Sequence, residues 1–294
     1  MKILILGASG MLGNAFFRLF SENSAFQVTG AMRSAAMRAY FPEALHDRLV
    51  CGIDVLSHDH LVSLFENTEP EVVINCIGLV KQLSSAEDPL EALPINSLLP
   101  HRLDRLCRLA DARLVHFSTD CVFTGDRGMY TEDDLADARD LYGMSKYLGE
   151  VRNSAHAITL RTSIIGHELE RNHSLIGWFL SQQGRVSGYS RAIFSGLPTV
   201  ELARVVMELV IPRPKLHGLY HVSAEPVDKK TLLTLVAELY EKDIEIIEDD
   251  SVNIDRSLDS TRFRTATGYV PPSWPELVQM MNDYNTRWTS AEKV

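Results

Sequence analysis

Short apolar runs alternate with amphipathic stretches through the first 165 residues, and this pattern constrains the fold more than any other feature of the chain. The apolar runs lie at residues 3–6, 26–29, 49–55, 72–76, 114–118 and 158–161. Between them, leucine and phenylalanine recur at helical spacing, for example over residues 61–65 and 98–109. Strands that are apolar along their whole length are buried on both faces, as in a parallel sheet covered by helices on each side. The pattern therefore predicts an α/β fold of the Rossmann type, a doubly wound parallel sheet that binds ligands at the carboxyl ends of its strands.

The alternation becomes less regular after residue 166. A helix is predicted over residues 174–182, and further elements are predicted over residues 200–210, 219–222, 229–240, 244–247 and 274–281. Prolines at positions 212, 214, 271, 272 and 275 mark turns in this region. We expect residues 1–165 to form the Rossmann domain. Residues 166–294 are expected to form mainly a smaller substrate-binding lobe, with segments that return to the first domain.

Composition and charge exclude several classes of protein. The 294 residues include 45% hydrophobic and 23% charged residues, as in an ordinary globular protein and unlike a disordered chain. A formal net charge of −10 argues against nucleic acid or an anionic membrane as a partner. No apolar run is long enough for a membrane span or a signal peptide, so we expect a cytoplasmic protein. The four cysteines are too scattered for a disulfide framework, and without a CxxC pair we expect no metal site.

A glycine-rich turn follows the first predicted strand and leads directly into a helix. Gly7 permits a tight turn, Gly10 lets the backbone approach a pyrophosphate, and Gly13 allows close packing of the helix against the strand. Unpaired N–H groups at the start of the helix complete an anion site. This context predicts a dinucleotide cofactor, and the alternative is an ordinary glycine-rich turn. The candidate cofactor-binding residues of the turn are Gly7, Ser9, Gly10, Met11, Leu12 and Gly13.

The end of the second predicted strand distinguishes NAD from NADP. An NAD site usually carries an acidic residue there, whereas an NADP site needs a cation for the 2′-phosphate. This chain has no acid at that point and instead has Arg33 and Ser34, which can bind phosphate through a guanidinium and a hydroxyl. We therefore expect an NADP-binding domain, with NADPH preferred over NADH. In the alternative interpretation, Arg33 is an ordinary surface arginine.

Two further segments are expected to approach the cofactor, because both follow strands at the ligand-binding edge of the sheet. Asp54 ends the third predicted strand, and together with Val55 it is expected to meet the adenine. The alternative role of Asp54 is to cap the next helix. Cys76, Ile77 and Gly78 follow the fourth strand and are expected to form a loop beside the cofactor.

A third group of residues suggests acid–base chemistry. Tyr142 and Lys146 are spaced i and i+4, which places both side chains on one face of a helix. A neighbouring lysine is expected to lower the pKa of the tyrosine and make the phenol a usable proton donor near neutral pH. Thr119, at the end of the fifth strand, is positioned to hydrogen-bond a reacting oxygen. The alternatives are an exposed helix face and a strand cap, but the glycine turn about 130 residues earlier favours a catalytic site.

The same segments resemble a known family. GASGMLG, NCIG, STDCVF and YGMSK, in this order and spacing, resemble the extended short-chain dehydrogenases/reductases. Segments at residues 161–166, 196–199, 218–223 and 256–259 are similar to those of dTDP-4-dehydrorhamnose reductases and their relatives. The resemblance implies NADPH-dependent reduction of the C4 ketone of a nucleotide-activated 4-keto-6-deoxy sugar. It also implies that Thr119 orients the carbonyl, that Tyr142 protonates its oxygen, and that Lys146 binds the ribose and tunes Tyr142.

Cys121 raises a question about a second activity. Related 4,6-dehydratases carry a glutamate at this position, so its replacement by cysteine disfavours dehydration. Cys121 also resembles the cysteine of GDP-fucose synthases, which epimerise a keto sugar before reducing it, and His173 matches the partner histidine of that family. A thiol and an imidazole that both titrate near neutral pH can exchange protons next to a ketone. The alternative is a small buried cysteine and a surface histidine.

The remaining predictions concern the substrate and the partners. Lys81, Arg161 and Arg256 are candidates for binding the nucleotide diphosphate or the sugar, and their alternative role is a structural salt bridge. Asp120 is a further candidate substrate-binding residue. Some relatives of this family are non-catalytic NADP-binding regulatory subunits, but the intact Thr119, Tyr142 and Lys146 favour an enzyme. The sequence does not determine the oligomeric state, for which a homodimer is one option.

Overall fold

A seven-stranded parallel sheet forms the centre of the computed structural model, which describes residues 1–81, 84–170 and 173–291. In chain order the strands are β1 (Lys2–Leu6), β2 (Gln27–Ala31), β3 (Leu49–Val50), β4 (Val72–Asn75), β5 (Arg113–Thr119), β6 (Ala157–Thr162), β7 (Ile164–Ile165), β8 (Arg185–Tyr189), β9 (Ala192–Phe194), β10 (Leu197–Pro198), β11 (Gly218–His221), β12 (Val227–Asp228), β13 (Glu245–Asp249) and β14 (Ile254–Asp255). The α-helices are α1 (Met11–Ser21), α2 (His58–Thr68), α3 (Pro89–Ala92), α4 (Leu99–Leu109), α5 (Leu141–Leu148), α6 (Leu175–Ser181), α7 (Thr199–Val205), α8 (Lys229–Leu239), α9 (Thr261–Thr267) and α10 (Trp274–Ala291). π-Helical turns at Leu93–Leu98 and Val206–Val210 join α3 to α4 and extend α7.

The strand order of the central sheet is β11-β6-β5-β4-β1-β2-β3, and neighbouring strands are parallel. The order reverses between β1 and β4, because the chain builds outward from β1 to β3 and then returns to the other side of β1. A reversal of this kind opens a crevice at the carboxyl ends of the strands, where doubly wound folds bind their ligands. The predicted fold class is confirmed.

Alternating residues of β1 show why the sheet is covered on both faces. Ile3 and Ile5 belong to the core on the α1 and α7 side, whereas Leu4 and Leu6 belong to the core on the α2 and α4 side. All four side chains are almost completely inaccessible to solvent. Successive side chains of a strand point to opposite faces, so a strand that is apolar throughout needs helices on both sides.

The third strand is shorter than predicted. Residues 49–55 were expected to form a strand, but only Leu49 and Val50 pair with β2. Gly52 then adopts a positive φ of 81°, and its N–H donates to the carbonyl of Arg33. This left-handed residue turns the chain away from the sheet edge, so Asp54 lies in a loop rather than on a strand.

The C-terminal half contributes both to the central sheet and to smaller sheets. β11 pairs with β6 at the edge of the central sheet, and α7 packs against α1. Within the described residues, three smaller sheets have the orders β10-β7, β12-β9-β14 and β13-β8. The division into two domains at residue 165 remains a prediction. Among the helices that the structure describes, none has the length and apolar character needed to cross a membrane.

Candidate active site

The glycine turn between β1 and α1 has the geometry of an anion cradle. Gly7 has a positive φ of 80°, and the N–H groups of Gly7 and Ala8 donate to the carbonyl of Ala31 at 2.9 and 3.0 Å. A Cβ atom at Gly13 would lie 2.0 Å from the carbonyl oxygen of Gly7, so only glycine allows α1 to pack this closely. Gly10 caps α1 without a side chain, which leaves the first N–H groups of the helix available to a ligand. The turn therefore fits the pyrophosphate of a dinucleotide.

The other predicted residues of the turn lie at the start of α1. Leu12, the second residue of this helix, is buried, whereas Ser9 and Met11 are half-buried. The amide of Asn14 donates to the carbonyls of Gly10 and Met11 at 3.0 Å, which holds the first turn of the helix in place.

Arg33 and Ser34 lie exposed at the carboxyl end of β2. Within the described parts of the chain, the guanidinium of Arg33 has no ion-pair partner. A second arginine, Arg38, lies at the same edge of the sheet. The sequence analysis did not identify it, because it belongs to an exposed 3₁₀ helix (Ala35–Tyr40) with no recognisable pattern. Arg38 donates to the carbonyl of Leu49 at 3.1 Å and to the sulfur of Cys51 at 3.4 Å.

Asp54 and Val55 occupy the loop after β3. The carboxylate of Asp54 accepts a hydrogen bond from the Leu56 N–H at 3.0 Å, and its side chain is otherwise exposed. The cap of α2 is Ser57, whose hydroxyl accepts from the His60 N–H. Asp54 therefore stabilises a local turn and does not cap α2.

The loop after β4 lies against the helix that carries the predicted acid–base pair. A Cβ atom at Gly78 would be 3.6 Å from Nζ of Lys146 and 3.5 Å from Oδ1 of Asn96. Asn96 accepts from the Leu79 N–H at 2.9 Å and donates to the hydroxyl of Ser145 at 3.1 Å, so it joins this loop to α5. Cys76 and Ile77, which precede Gly78, are half-buried.

Lys146 and Tyr142 lie on α5 beside the end of β5. Nζ of Lys146 donates to the carbonyl of Phe117 at 2.7 Å, and the side chain is buried. Burial lowers the pKa of Lys146 to about 8, although the negative charge of Glu150 acts to raise it. Gly143 allows α5 to approach the turn after β5 closely, since a Cβ atom at this position would lie 2.3 Å from the carbonyl oxygen of Cys121.

The electrostatics of Tyr142 differ from the expectation. Burial and the neighbouring Cys121 raise the pKa of the phenol well above its usual value, and a hydrogen bond with Thr119 lowers it by less. The prediction that the pKa of Tyr142 is lowered is wrong, because burial of the phenol outweighs the effects that lower it. A raised pKa keeps the phenol protonated at neutral pH, which suits a proton donor.

Thr119 connects the residues at the end of β5. Its hydroxyl donates to Oδ1 of Asp120 at 3.1 Å and accepts from the Cys121 N–H at 3.1 Å. Burial raises the pKa of Asp120, and burial together with the Asp120 charge raises the pKa of Cys121 to about 12. Thr119, Asp120, Cys121 and Tyr142 therefore form one cluster.

The thiol–imidazole pair expected for epimerisation is not assembled. His173 is exposed before α6, and no contact between it and Cys121 occurs among the residues described. A thiol with a pKa of about 12 also stays protonated at neutral pH, so the expectation that Cys121 titrates there is wrong.

The three predicted cations have different surroundings. Lys81 forms an exposed ion pair with Asp140 at 2.8 Å, next to the start of α5. Arg256 donates to the carbonyl of Phe123 at 2.9 Å. Its positive charge lowers the pKa of Asp120 and of Cys121, although burial raises both pKa values by more. The guanidinium of Arg256 therefore lies near the cluster.

Arg161 is not available to a substrate, and its predicted binding role is wrong. Its side chain is fully buried, and Nε and Nη2 donate to the carboxylate of Glu150 at 2.6 and 2.8 Å. Nη1 lies 3.2 Å from Nε2 of His221, whose other ring nitrogen lies 2.9 Å from the carbonyl of Tyr130. These contacts use the whole guanidinium inside the protein.

Glu150 is a buried structural residue that sequence reasoning missed. It accepts a hydrogen bond from the Ser118 hydroxyl at 2.7 Å in addition to its bonds from Arg161. Glu150 lies two residues after the end of α5 and links this segment to β5, one residue before Thr119, and to β6 through Arg161. Helical spacing gave no signal for this residue, because α5 ends at Leu148.

The fold and this site define an extended short-chain dehydrogenase/reductase: a doubly wound sheet, a glycine turn after β1, and a tyrosine–lysine helix beside β5. The chain belongs to the RmlD substrate binding domain family, whose model matches residues 1–285.

Individual relatives are similar over most of their length. The dTDP-4-dehydrorhamnose reductase of Aggregatibacter actinomycetemcomitans is 24% identical over 96% of this chain and 99% of that protein. The methionine adenosyltransferase 2 subunit beta of Xenopus laevis is 26% identical over 81% of this chain and 72% of that protein. A crystal structure of dTDP-4-dehydrorhamnose reductase from Bacillus anthracis, in complex with NADP, is 19% identical and superposes with a TM-score of 0.77. That match covers 96% of this chain and 99% of the crystallised one.

Proposed function

We propose that this protein is an NADPH-dependent reductase of the C4 ketone of a nucleotide-activated 4-keto-6-deoxy sugar. The observation that carries the proposal is that Thr119, Tyr142 and Lys146 lie together at the carboxyl end of β5. These three residues lie at the edge of the sheet where the glycine turn offers its N–H groups. The similarity to dTDP-4-dehydrorhamnose reductases over nearly the whole chain supports the same reaction class.

The cofactor assignment rests on the glycine turn and on the NADP held by the Bacillus anthracis relative. When bound, NADPH supplies a hydride to the carbonyl carbon. The turn with Gly7, Ser9, Gly10, Met11, Leu12 and Gly13 binds the pyrophosphate, and Arg33 and Ser34 bind the 2′-phosphate. Asp54 and Val55 contact the adenine, the loop of Cys76, Ile77 and Gly78 lies beside the nicotinamide end, and Lys146 binds the ribose.

The acid–base step follows from the surroundings of Tyr142 and Thr119. The raised pKa keeps Tyr142 protonated, so its phenol donates the proton to the C4 oxygen as the carbonyl is reduced. Thr119 orients that oxygen through its hydroxyl. Lys146, with a pKa of about 8, carries a positive charge at neutral pH and stabilises the negative charge that develops on the oxygen. Lys81, Asp120, Cys121 and Arg256 surround the sugar.

The test is NADPH oxidation with a panel of 4-keto-6-deoxy nucleotide sugars carrying dTDP, UDP or GDP. We expect turnover by the natural protein and a loss of about 10²–10⁴-fold in kcat for Tyr142→Phe. Tyr147→Phe is a matched control, because Tyr147 lies on the same helix but is exposed and stacks on Arg152. Equal rates for the two variants, or no turnover with any sugar, would reject the proposal.

A second candidate function is a non-catalytic NADP-binding subunit. The similarity to methionine adenosyltransferase 2 subunit beta favours it. The two candidates differ in one measurement: such a subunit would bind NADPH without oxidising it in the presence of any sugar in the panel. The position of the buried Lys146 at the end of β5, beside Thr119 and Tyr142, supports the enzyme.

A further inference from the structure

Two arginines contact the same short segment of chain at the carboxyl end of β3. The N–H of Gly52 donates to the carbonyl of Arg33 at 3.1 Å. The guanidinium of Arg38 donates through Nη2 to the carbonyl of Leu49 at 3.1 Å and to the sulfur of Cys51 at 3.4 Å. Cys51 and Gly52 are neighbours in the chain. These contacts therefore bring the guanidinium of Arg38 to the edge of the sheet at which Arg33 follows β2.

Neither arginine is neutralised by an acid. Both side chains are exposed, and within the described residues neither forms an ion pair. The chain has 39 acidic and 29 basic residues, so two neighbouring arginines without a carboxylate do not result from a shortage of acids. In the part of the chain that the structure describes, Arg38 uses Nη2 alone, for a carbonyl and a sulfur. Its Nε and Nη1 are therefore available to an anionic ligand.

A pair of cations at this edge matches the charge of a phosphate monoester. Such a group carries about −1.5 to −2 charges at pH 7 and presents three strong acceptor oxygens. The 2′-phosphate of NADP is a monoester, whereas the pyrophosphate is common to NAD and NADP. Guanidinium groups bind phosphate through parallel N–H donors. Because Nη2 of Arg38 is already anchored, this side chain loses less freedom when it binds such a ligand.

We propose that Arg38 binds the 2′-phosphate of NADPH together with Arg33, and that it is a second residue that determines the preference for NADPH over NADH. The inference rests on the proposed function and adds a residue that no motif indicated. The rest of the dinucleotide is the same in both cofactors. Arg38 should therefore contribute to the affinity only when the 2′-phosphate is present.

Two nucleotides isolate this contact, because 2′,5′-ADP and 5′-AMP differ only in the 2′-phosphate. Isothermal titration without any sugar compares the natural protein with Arg38→Gln, Arg38→Lys, Arg33→Gln and the double variant Arg33→Gln/Arg38→Gln. Arg48→Gln is the matched control. Arg48 is also an exposed arginine of a 3₁₀ helix (Glu43–Arg48), and it also donates to a backbone carbonyl, that of Ser21 at 3.2 Å. It precedes β3 and so lies at the opposite end of that strand.

We expect Arg38→Gln to weaken binding of 2′,5′-ADP about tenfold, as for loss of one hydrogen bond to a charged group, and to leave binding of 5′-AMP unchanged. Arg38→Lys keeps the charge but not the planar fork, so it should recover part of the affinity. The double variant should bind the two nucleotides equally. Arg48→Gln should bind both as the natural protein does.

Three results would overturn the inference: equal behaviour of Arg38→Gln and Arg48→Gln, equal losses of 2′,5′-ADP and 5′-AMP binding in Arg38→Gln, or a natural protein that binds 2′,5′-ADP no more tightly than 5′-AMP. Equal losses would mean that Arg38 acts by holding the segment after β3. A protein that selects 2′,5′-ADP through Arg38 but reduces no sugar rejects the proposed function and leaves this inference standing. Selection that is lost in Arg33→Gln but kept in Arg38→Gln rejects this inference and leaves the proposed function standing.

Discussion

Nζ of Lys146 donates a 2.7 Å hydrogen bond to the carbonyl oxygen of Phe117, two residues before Thr119. This bond joins the helix that carries Tyr142 to the strand that carries Thr119, and it places an ammonium group in the interior. A buried charge is costly because it loses its hydration, and the lowered pKa of Lys146 expresses that cost.

The burial of Lys146 predicts a pH-dependent stability. The pKa is 10.5 when the side chain is solvated and about 8 in the folded protein, so between these values the unfolded chain binds more protons. Stability therefore rises with pH through this window, and below pH 8 the full cost is present. We expect Lys146→Met to be more stable than the natural protein at pH 7, by up to about 3 kcal/mol. Urea unfolding at pH 7 and pH 10 should show this difference shrinking, and a difference that is independent of pH would contradict the explanation.

The protonated phenol of Tyr142 predicts the pH profile of reduction. Because burial holds its pKa well above the usual value, ionisation of Tyr142 should not reduce kcat between pH 7 and 9. Loss of the proton from Lys146 is expected to produce the alkaline limb near pH 8. Lys146→Arg, which stays charged, should remove that limb even if its kcat is lower. A limb unchanged in this variant would assign it to another group.

The buried pair of Glu150 and Arg161 predicts a large effect on stability. Glu150→Gln leaves Arg161 buried without a carboxylate, and we expect a loss of about 3–5 kcal/mol in the free energy of unfolding. The double variant with Arg161→Met should recover part of it. Glu208→Gln is the control, since its ion pair with Arg204 is largely exposed and should contribute less than about 1 kcal/mol. Denaturant unfolding measures all three, and a single-variant loss as small as that of the control would contradict the argument.

Two glycines of the turn should fail in different ways when replaced by alanine. At Gly13 the new Cβ atom would collide with the carbonyl of Gly7 at 2.0 Å, so we expect a loss of roughly 1–3 kcal/mol in stability. At Gly10 the nearest atom is 3.4 Å away and φ is −77°, so the fold should tolerate alanine. The methyl group of Gly10→Ala would instead block the pyrophosphate and raise the KM for NADPH. Thermal unfolding and NADPH titration separate these outcomes, and equal losses of stability would argue against them.

The exposed guanidinium of Arg33 predicts the cofactor preference. Arg33→Asp should repel the 2′-phosphate of NADPH and accept the ribose hydroxyls of NADH, which shifts the ratio of kcat/KM values towards NADH. Arg48→Asp is a control, because Arg48 donates to the carbonyl of Ser21 on another part of the surface. An unchanged NADPH/NADH ratio in Arg33→Asp would refute the assignment.

The parts of the site that depend on local pattern could be predicted from the sequence. The spacing of Gly7 and Gly13 specified a tight turn, and the structure shows the close approach that it requires. The spacing of Tyr142 and Lys146 placed both on one helix. The third strand was predicted too long, because the break depends on how Gly52 turns against the neighbouring strand.

The order of strands and helices, the glycine turn and the tyrosine–lysine helix were determined by the sequence alone, because each depends on residues that are neighbours along the chain. Only the tertiary structure decided the charge state and the availability of individual groups. Burial raised the pKa of Tyr142, and a buried carboxylate, that of Glu150, binds the guanidinium of Arg161. These properties depend on solvent exclusion and on contacts between distant parts of the chain, which no local pattern encodes.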